Sequence, residues 1–284
     1  MIDYHCHLLP TLDDGPETSS ESLEMARALV DFGFREVHCT PHCIAGHYEI
    51  SPVEVRAATG RLQAELDLAG IALRLHPGME YYLDDGFERF AANLLPLGES
   101  RLVLCEAPPQ ALPGVVAAML ELIVVQGFIP LIAHPERSET VWVMLEEQWQ
   151  LPAEEPPAPQ VDQSPSLWRR WFASRSPADP RSAAKDSAPG TLPSLPPELP
   201  DCCLYQANLG SFAGFYGARP QRRAYELLQR KIYHCFASDL HDVRSIPGCL
   251  EPAREKLQYN PALQRLGDFV APQGAGGCPQ MAFW

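Results

Sequence analysis

Short apolar runs alternating with longer segments of helical spacing are the feature that most constrains the fold of this chain. Each run has the length of a strand, and most are followed by apolar residues at helical spacing. Seven runs are predicted strands: Met1–Tyr4, Glu36–Cys39, Ile71–Leu75, Leu102–Cys105, Phe128–Ala133, Leu204–Leu209 and Tyr233–Ser238. Strands that alternate with helices favour parallel β/α units over a sandwich, so we predict one α/β domain of barrel-like architecture.

Four helices are predicted within this alternating pattern. Thr18 and Glu21 form a T-x-x-E capping box, and apolar residues at helical spacing run from there to a glycine stop at Gly33. The other three helices are Val53–Leu68, Val115–Val125 and Gln221–Arg230. Each helix lies between two predicted strands, as the connection between parallel strands requires.

Residues 151–200 interrupt the alternating pattern. They contain 12 of the 29 prolines and 7 serines, without sustained apolar spacing. Because such a segment buries too little apolar surface to offset the entropy of ordering it, we predict a flexible Pro/Ser-rich insertion. The predicted domain therefore covers residues 1–270 around this insertion, and a glycine-rich tail over 271–284 is expected to fray.

Charge and composition disfavour several classes of protein. Of the 284 residues, 36 are acidic and 22 are lysine or arginine, and a formal charge of −14 is a poor match for nucleic acid or an anionic membrane. No apolar stretch reaches the roughly 18 residues of a membrane helix, and no basic region of a secretory signal precedes the first run. The nine cysteines form no C-x-x-C pair and are interpreted as reduced thiols, so we expect a cytoplasmic protein.

Histidines and carboxylates follow the carboxyl ends of the predicted strands. His5 and His7 are two residues apart, so both imidazoles project to one side of an extended backbone. The candidate ligands are His5, His7, Asp14, His42, Glu80, Glu106, His134, Asp239 and His241. Because the carboxyl ends of the strands of a β/α barrel meet at one face, we expect these side chains to lie together. Buried imidazoles and carboxylates are costly without partners, and a multinuclear metal site would satisfy them.

The predicted ligand set combines imidazole and carboxylate and requires no thiolate. Manganese, iron and zinc suit such ligands better than copper, and hydrolytic sites with two or more metals use similar sets. Cys6, Cys39 and Cys43 lie near the candidate ligands in sequence and are interpreted as packing residues. The sequence thus predicts a metal site of the hydrolytic kind.

Two arginines stand at the same distance from two of the candidate ligands. Arg137 lies three residues after His134, and Arg244 lies three residues after His241. Arginine binds phosphate through two parallel hydrogen bonds and stays charged at any working pH, although a surface salt bridge with one of the many acids is the alternative role. With metals nearby, a phosphate ester is the predicted substrate.

Seven short motifs, taken in order, resemble one known superfamily. They are MIDYHCHLLPTLDDGPETSSESLEMA at the start, TPH at 40–42, GMEYY at 78–82, CEAP at 105–108, AHPER at 133–137, QANLGS at 206–211 and ASDLHD at 237–242. In this order and spacing they resemble the PHP (polymerase and histidinol phosphatase) superfamily. Within it they resemble the bacterial manganese-dependent protein-tyrosine phosphatases of capsule and exopolysaccharide operons. The resemblance covers roughly residues 1–150 and 201–250.

This resemblance implies a fold, a cofactor and a partner. The fold would be a distorted TIM-like (β/α)7 barrel holding two or three manganese ions, with iron or zinc as alternatives. One ion would bind His5, His7, Glu80 and Asp239, a second Glu80, Glu106 and His134, and a third Asp14, His42 and His241. Arg137 and Arg244 would hold the phosphoryl oxygens while the metals activate water. The substrate would be a phosphotyrosine protein, a bacterial tyrosine autokinase that controls polysaccharide chain length.

Two other interpretations use the same ligands. A histidinol-phosphate phosphatase would have the same metal cage, and a non-catalytic regulatory module would keep the cage without turnover. A cysteine-dependent tyrosine phosphatase is rejected, because no cysteine has an arginine six positions later. A comparison of turnover between a phosphotyrosine peptide and histidinol phosphate distinguishes the tyrosine phosphatase from the histidinol-phosphate phosphatase, and turnover of neither would favour the non-catalytic module.

Overall fold

The computed structural model describes residues 1–150 and 199–273. Residues 1–146 and 199–273 form one compact unit. Residues 147–150 belong to a second unit, and the rest of that unit lies outside the described residues. The predicted flexible insertion at 151–200 lies outside the described residues except for Leu199 and Pro200, and so do residues 274–284 of the predicted tail. Within the described part of the chain, no helix is both long and apolar enough to cross a membrane.

The described residues contain nine strands, which form two parallel sheets. In chain order they are β1 (Ile2–Cys6), β2 (Glu36–Cys39), β3 (His42–Cys43), β4 (Arg74–Pro77), β5 (Glu80–Tyr82), β6 (Leu102–Glu106), β7 (Ile129–Ala133), β8 (Leu204–Asn208) and β9 (Cys235–Ala237). The smaller sheet has the strand order β1-β2-β4, and the larger has the order β3-β5-β6-β7-β8-β9. The predicted α/β fold with parallel strands is confirmed, and neither sheet closes on itself within the described residues.

Helices connect most of the neighbouring strands. They are α1 (Ser19–Phe32), α2 (Pro52–Leu68), α3 (Pro113–Val125), α4 (Glu139–Gln150), α5 (Leu209–Ala213), α6 (Ala218–Gln229), α7 (Ile246–Tyr259) and α8 (Pro261–Leu266), with 3-10 turns at Phe87–Arg89, Ala91–Asn93 and Val243–Ser245. The predicted capping box of α1 is present, since Thr18 accepts from the Glu21 N–H and the Glu21 side chain accepts from the Thr18 N–H. The helix ends at Gly33, whose φ of 122° suits glycine.

Two very short strands, β3 and β5, were not predicted from the sequence. They have two and three residues, which is too few for an alternation of apolar and polar residues to be visible. Their pairing sets the positions of candidate ligands, because His42 lies beside Glu80 and Tyr82 lies beside Glu106. Helices α4, α5, α7 and α8 are likewise additions to the predicted set.

Buried side chains from several strands form one core cluster. It includes Tyr4 of β1, Leu104 of β6 and Leu131 of β7, and Phe269 and Ala271 pack against it. The Tyr4 hydroxyl donates to the Phe269 carbonyl and accepts from the Ala271 N–H, both at 3.2 Å. The last described residues, which include the start of the predicted tail, are therefore hydrogen-bonded to the first strand.

Hydrogen bonds beyond the strand ends connect the loops that carry candidate ligands. The Asp239 N–H, which follows β9, donates to the His5 carbonyl of β1 at 2.8 Å. The Glu80 N–H at the start of β5 donates to the Pro41 carbonyl, just after β2, at 3.1 Å. The carboxyl ends of strands from both sheets are thereby held together at one site.

Candidate metal centre

The structure brings all nine predicted ligands into one cluster. Their ligand atoms form four overlapping groups, and within each group the atoms lie within 4.8 Å of one another. The groups are His7–Asp14–His42–His241, His5–His7–Glu80, His5–His134–Asp239 and His42–Glu80–Glu106. The cluster is closed on one side and open on the other, because His5 is fully buried whereas the side chain of Asp14 is 52% exposed.

Glu80 lies at the centre of the cluster. Its Oε2 is 3.1 Å from His5 Nε2 and 3.0 Å from His42 Nδ1, and its Oε1 is 3.3 Å from His134 Nε2. Burial would raise the pKa of Glu80, but the surrounding histidines, His5 above all, hold it well below its usual range. Both carboxylate oxygens are buried without a partner in hydrogen-bonding geometry. A buried carboxylate in this state needs a cation, so Glu80 fits a metal ligand.

Two imidazoles face each other beside Glu80. His5 Nε2 and His7 Nε2 are 3.0 Å apart, and Asp239 Oδ1 is 3.1 Å from His5 Nε2. Burial would lower the pKa of His5, but Glu80 and Asp239 outweigh it and raise this pKa to about 9. The carboxylates that favour protons on these imidazoles would equally favour a divalent cation, which would displace the protons and accept imidazole and carboxylate donors. The donor set of the cluster therefore fits metal ions.

Asp13 supports the cluster and was not predicted. Its Oδ2 accepts a hydrogen bond from His7 Nδ1 at 2.6 Å and another from the His42 N–H at 2.9 Å. Burial would raise the pKa of Asp13, yet the imidazole of His7 outweighs it and lowers this pKa to about 2. A carboxylate behind a ligating histidine fixes the ring and its tautomer. Its sequence signal is the D-D-G motif at 13–15, in which the neighbouring Asp14 is the predicted ligand.

Other polar side chains orient the ligands from behind. Gln206 Oε1 lies 3.0 Å from His5 Nδ1, which leaves His5 Nε2 for the cluster. Asn208 Nδ2 donates to Asp239 Oδ2 at 2.8 Å, and the buried Glu136 accepts from the Asn208 N–H at 3.1 Å. Gln206 and Asn208 belong to the Q-A-N-L-G-S motif, which carried part of the family resemblance, but neither residue was predicted to support the site.

Two candidate ligands adopt positive φ angles. His134 has φ of 32° and Asp239 has φ of 51°, a region that few residues other than glycine occupy. Both follow the ends of strands, β7 and β9, at the points where the chain turns into the site. Strained backbone of this kind is common at functional sites, where the contacts around the residue are strong enough to hold it in an unfavourable conformation.

The two predicted phosphate-binding arginines have different positions. Arg137 NH1 donates to Asp239 Oδ2 at 2.5 Å, and its guanidinium carbon lies 4.2 Å from the centroid of the Tyr216 ring. Arg137 is thus held at the edge of the cluster. The structure does not bring Arg244 to the cluster, because its side chain is 92% exposed and its guanidinium lies 3.9 Å from Asp242 Oδ2.

Comparison with known proteins identifies relatives over most of the chain. The family model described as capsular polysaccharide synthesis, CpsB/CapC, matches residues 1–152, more than half of this chain. Tyrosine-protein phosphatase YwqE of Bacillus subtilis is 30% identical over 247 residues, which cover 86% of this chain and 79% of that relative. Tyrosine-protein phosphatase CpsB of Streptococcus pneumoniae is 30% identical over 145 residues, which cover 50% of this chain and 59% of that relative.

A solved structure resembles the fold described above. It comes from the crystal structures of YwqE from Bacillus subtilis and CpsB from Streptococcus pneumoniae, named there as unique metal-dependent tyrosine phosphatases. The superposition has a TM-score of 0.63 at 27% sequence identity and covers 96% of this chain and 98% of that one. The resemblance to the capsule-type tyrosine phosphatases predicted from the sequence is confirmed. On the family match and the extent of the YwqE alignment, this chain belongs to the capsular polysaccharide synthesis family CpsB/CapC.

Proposed function

We propose that this chain is a metal-dependent protein-tyrosine phosphatase, which hydrolyses phosphotyrosine to tyrosine and phosphate. The observation that carries the proposal is the cluster of nine imidazole and carboxylate side chains around Glu80, with Arg137 at its edge. Such a cluster suits hydrolysis of a phosphomonoester by two or more metals, and a nearby arginine suits the phosphoryl oxygens. The relatives named tyrosine-protein phosphatases support tyrosine phosphate as the substrate.

The proposed cofactor is manganese, as two or three ions, with iron and zinc as alternatives. Support comes from the mixed imidazole and carboxylate donors and from the unpartnered oxygens of Glu80. The ligands would be those predicted from the sequence, His5, His7, Asp14, His42, Glu80, Glu106, His134, Asp239 and His241. His7 approaches Asp14, His42 and His241 as well as Glu80, so it also has a place in the group that the sequence assigned to a third ion. Bound metals supply Lewis-acid polarisation of the phosphoryl group and a nucleophile at neutral pH.

Arg137 is proposed to bind the phosphoryl oxygens. Asp239 and the Tyr216 ring hold the guanidinium, and other N–H donors of this planar group remain for the substrate. A rigid arginine binds a phosphoryl group with little loss of side-chain entropy, and its charge compensates the charge that the substrate brings. Arg137 would thus orient the substrate toward the ligand cluster.

Arg244 remains a predicted second ligand of the phosphoryl group. Its exposed position means that it would have to move from solvent to the substrate. If it does so, Arg244→Gln raises KM for a phosphotyrosine peptide and leaves the metal content unchanged. An unchanged KM would contradict this role.

We further propose that the two sheets are parts of a distorted TIM-like (β/α)7 barrel in a single domain over residues 1–270. Support comes from the hydrogen bond that joins the Asp239 N–H, after β9, to the His5 carbonyl of β1. The insertion at 151–200 and the tail at 271–284 stay predictions, as does the cytoplasmic location.

The proposed partner is a phosphotyrosine protein of capsule or exopolysaccharide synthesis, namely a bacterial tyrosine autokinase. Support comes from the family description, capsular polysaccharide synthesis, and from relatives named tyrosine-protein phosphatases. The formal charge of −14 argues against a nucleic-acid partner.

The test is phosphate release from a phosphotyrosine peptide and from histidinol phosphate, after chelation and readdition of manganese. We expect manganese-dependent turnover of the peptide, abolished in His5→Ala because His5 contacts two carboxylates of the cluster. His76→Gln is the matched control, since His76 pairs with Glu36 outside the cluster. Turnover of histidinol phosphate alone would contradict the proposal and favour the biosynthetic phosphatase, and turnover of neither would favour a non-catalytic module.

A further inference from the structure

Three tyrosines lie beside the ligand cluster, and they differ in what covers their rings. The Tyr216 ring is covered by the Arg137 guanidinium, 4.2 Å from its centroid, so this tyrosine holds Arg137. Tyr48 and Tyr82 are partly exposed and lie beside other candidate ligands, His42 and Glu106, and the exposed His47 ring also contacts Tyr48 with the centroids 4.2 Å apart. Within the described residues neither of these two rings is covered by a guanidinium, and each keeps exposed surface that a substrate can contact.

A short turn holds Tyr48 over the ligand His42. The Tyr48 N–H donates to the Ile44 carbonyl at 2.9 Å, and the Ile44 N–H donates back to the Tyr48 carbonyl at 3.0 Å. The Tyr48 ring lies at 12° to the His42 ring, with the two centroids 6.1 Å apart. Burial and the carboxylate of Asp14 raise the pKa of the Tyr48 hydroxyl, as expected for a phenol at the open, acidic edge of the cluster.

Tyr82 extends from the same strand face as the central carboxylate. It lies two residues after Glu80 on β5, and side chains two apart on a strand project to the same side. On the neighbouring strand β6 its partner is Glu106, and burial together with Glu106 raises the pKa of the Tyr82 hydroxyl. Tyr82 is thus placed beside two candidate ligands, Glu80 on its own strand and Glu106 on the next.

We propose that Tyr48 and Tyr82 are the specificity-determining residues that select an aryl group, so that the site takes phosphate esters of phenols rather than of alkyl alcohols. They approach the ligand group His42–Glu80–Glu106 from two of its members. The aromatic ring of a substrate whose phosphoryl group is held at these ligands would contact Tyr48 beside His42, Tyr82 beside Glu106, or both. Ring pairs in stacked or edge-to-face contact gain more than burial alone provides. This inference rests on the proposed function and adds the origin of its substrate preference.

Binding of phosphonates tests the inference without requiring turnover. Calorimetry on the manganese-loaded protein compares phenylphosphonate with methylphosphonate for the wild type, Tyr48→Leu and Tyr82→Leu. Leucine keeps apolar bulk and removes the ring, so each variant should bind phenylphosphonate about three- to tenfold more weakly and methylphosphonate unchanged. Tyr259→Leu, on the exposed surface of α7, is the matched control and should bind both ligands as the wild type does.

The result that overturns the inference is an equal loss for both phosphonates, no loss for either, or a wild type that does not favour the phenyl group. Thermal unfolding of each variant shows whether a loss reflects a disturbed fold. Hydrolysis of a phosphotyrosine peptide by the same wild-type preparation reports separately on the proposed function. If the wild type hydrolyses the phosphotyrosine peptide but both variants bind phenylphosphonate as tightly as the wild type, the proposed role of the two tyrosines is refuted and the proposed function is not.

Discussion

Buried histidines occur in two groups of side chains, the candidate ligand cluster and the His38 group (Tyr4, His38 and His76), and one histidine of each group, His5 and His38, shows opposite electrostatics. His5, in the ligand cluster, faces Glu80 and Asp239, and these carboxylates outweigh burial and raise its pKa to about 9. His38, on β2, lies 5.1 Å from the Tyr4 ring and 4.9 Å from the His76 ring, in nearly parallel stacks. Burial, with a further contribution from His76, lowers the pKa of His38 to about 3.

The difference between His5 and His38 shows how neighbouring carboxylates act on a buried histidine in this fold. Burial acts in the same direction on both, so it does not distinguish them. The carboxylates distinguish them, since His38 is packed against aromatic rings while His5 lies 3.1 Å from each of two carboxylate oxygens. The whole set of neighbours matters, since burial and the Arg137 guanidinium lower the pKa of His134 to about 4 although Glu80 Oε1 lies 3.3 Å from its Nε2.

Removing the central carboxylate has the largest expected effect. Glu80→Gln keeps the shape of the side chain but removes the charge that four imidazoles face. We expect loss of bound manganese and a fall in phosphotyrosine turnover of about a thousandfold or more, because metal activation contributes several kcal/mol. Elemental analysis and initial rates measure both. His38→Phe should keep metal and rate, and loss of metal in that variant would remove the distinction between the two groups.

Weakening the support behind His7 should have a smaller effect. Asp13→Asn keeps an acceptor for His7 Nδ1 but removes the charge that fixes the ring. We expect manganese affinity to fall by about 10- to 100-fold, as for other partners of ligating histidines. Titration of the metal-free protein measures this, with Asp85→Asn on the exposed surface as control. Equal affinities for wild type and Asp13→Asn would mean that the ring is held by packing alone.

Acid should destabilise the folded protein through His38 in a defined pH range. The pKa of His38 in the folded protein is about 3, below its ordinary value of 6.5. The contribution of His38 to the free energy of unfolding is therefore fully present above pH 6.5 and is lost as the pH falls toward 3. Between pH 7 and pH 5 this loss amounts to about 2 kcal/mol of unfolding free energy. Urea denaturation with chelator present should show that His38→Phe loses about 2 kcal/mol less than the wild type. An equal loss of unfolding free energy in the wild type and in His38→Phe would contradict this prediction.

The smallest predicted effect concerns the hydroxyl beside the His38 group. Tyr4→Phe removes the hydrogen bonds to the Phe269 carbonyl and the Ala271 N–H but keeps the ring that stacks on His38. We expect a loss of about 1 kcal/mol of unfolding free energy at pH 7 and unchanged metal affinity. Amide exchange at Ala271 should accelerate in the variant. A change in metal affinity would show that the two histidine groups are coupled.

The parallel fold and the ligand cluster could be predicted from the sequence for one shared reason. Parallel strands bring their carboxyl ends to one edge, so residues such as His42 and His134, far apart in the chain, converge because of where each follows its strand. Asp13 could not be predicted, since adjacent aspartates give no signal of which one faces a histidine. Strands β3 and β5 are too short to show a pattern.

The two arginines show a limit of counting along the chain. Both lie three residues after a histidine of the cluster, yet Arg137 is fixed by Asp239 and Tyr216 whereas Arg244 is in solvent. Arg244 lies in the 3-10 turn Val243–Ser245, which determines where its side chain points. Two arginines at the same distance in sequence from a histidine therefore point the same way only when the backbone conformation around them is the same.

The sharing of Glu80 among several histidines has a consequence for how the protein responds to metal supply. A carboxylate that serves more than one ion couples their binding, because the first ion fixes the side chain in the position that the next requires. Loading of the proposed sites should then be cooperative, with the protein passing from empty to filled over a narrow range of free manganese. Glu80 would make phosphatase activity a threshold response to the metal concentration of the cell rather than a graded one.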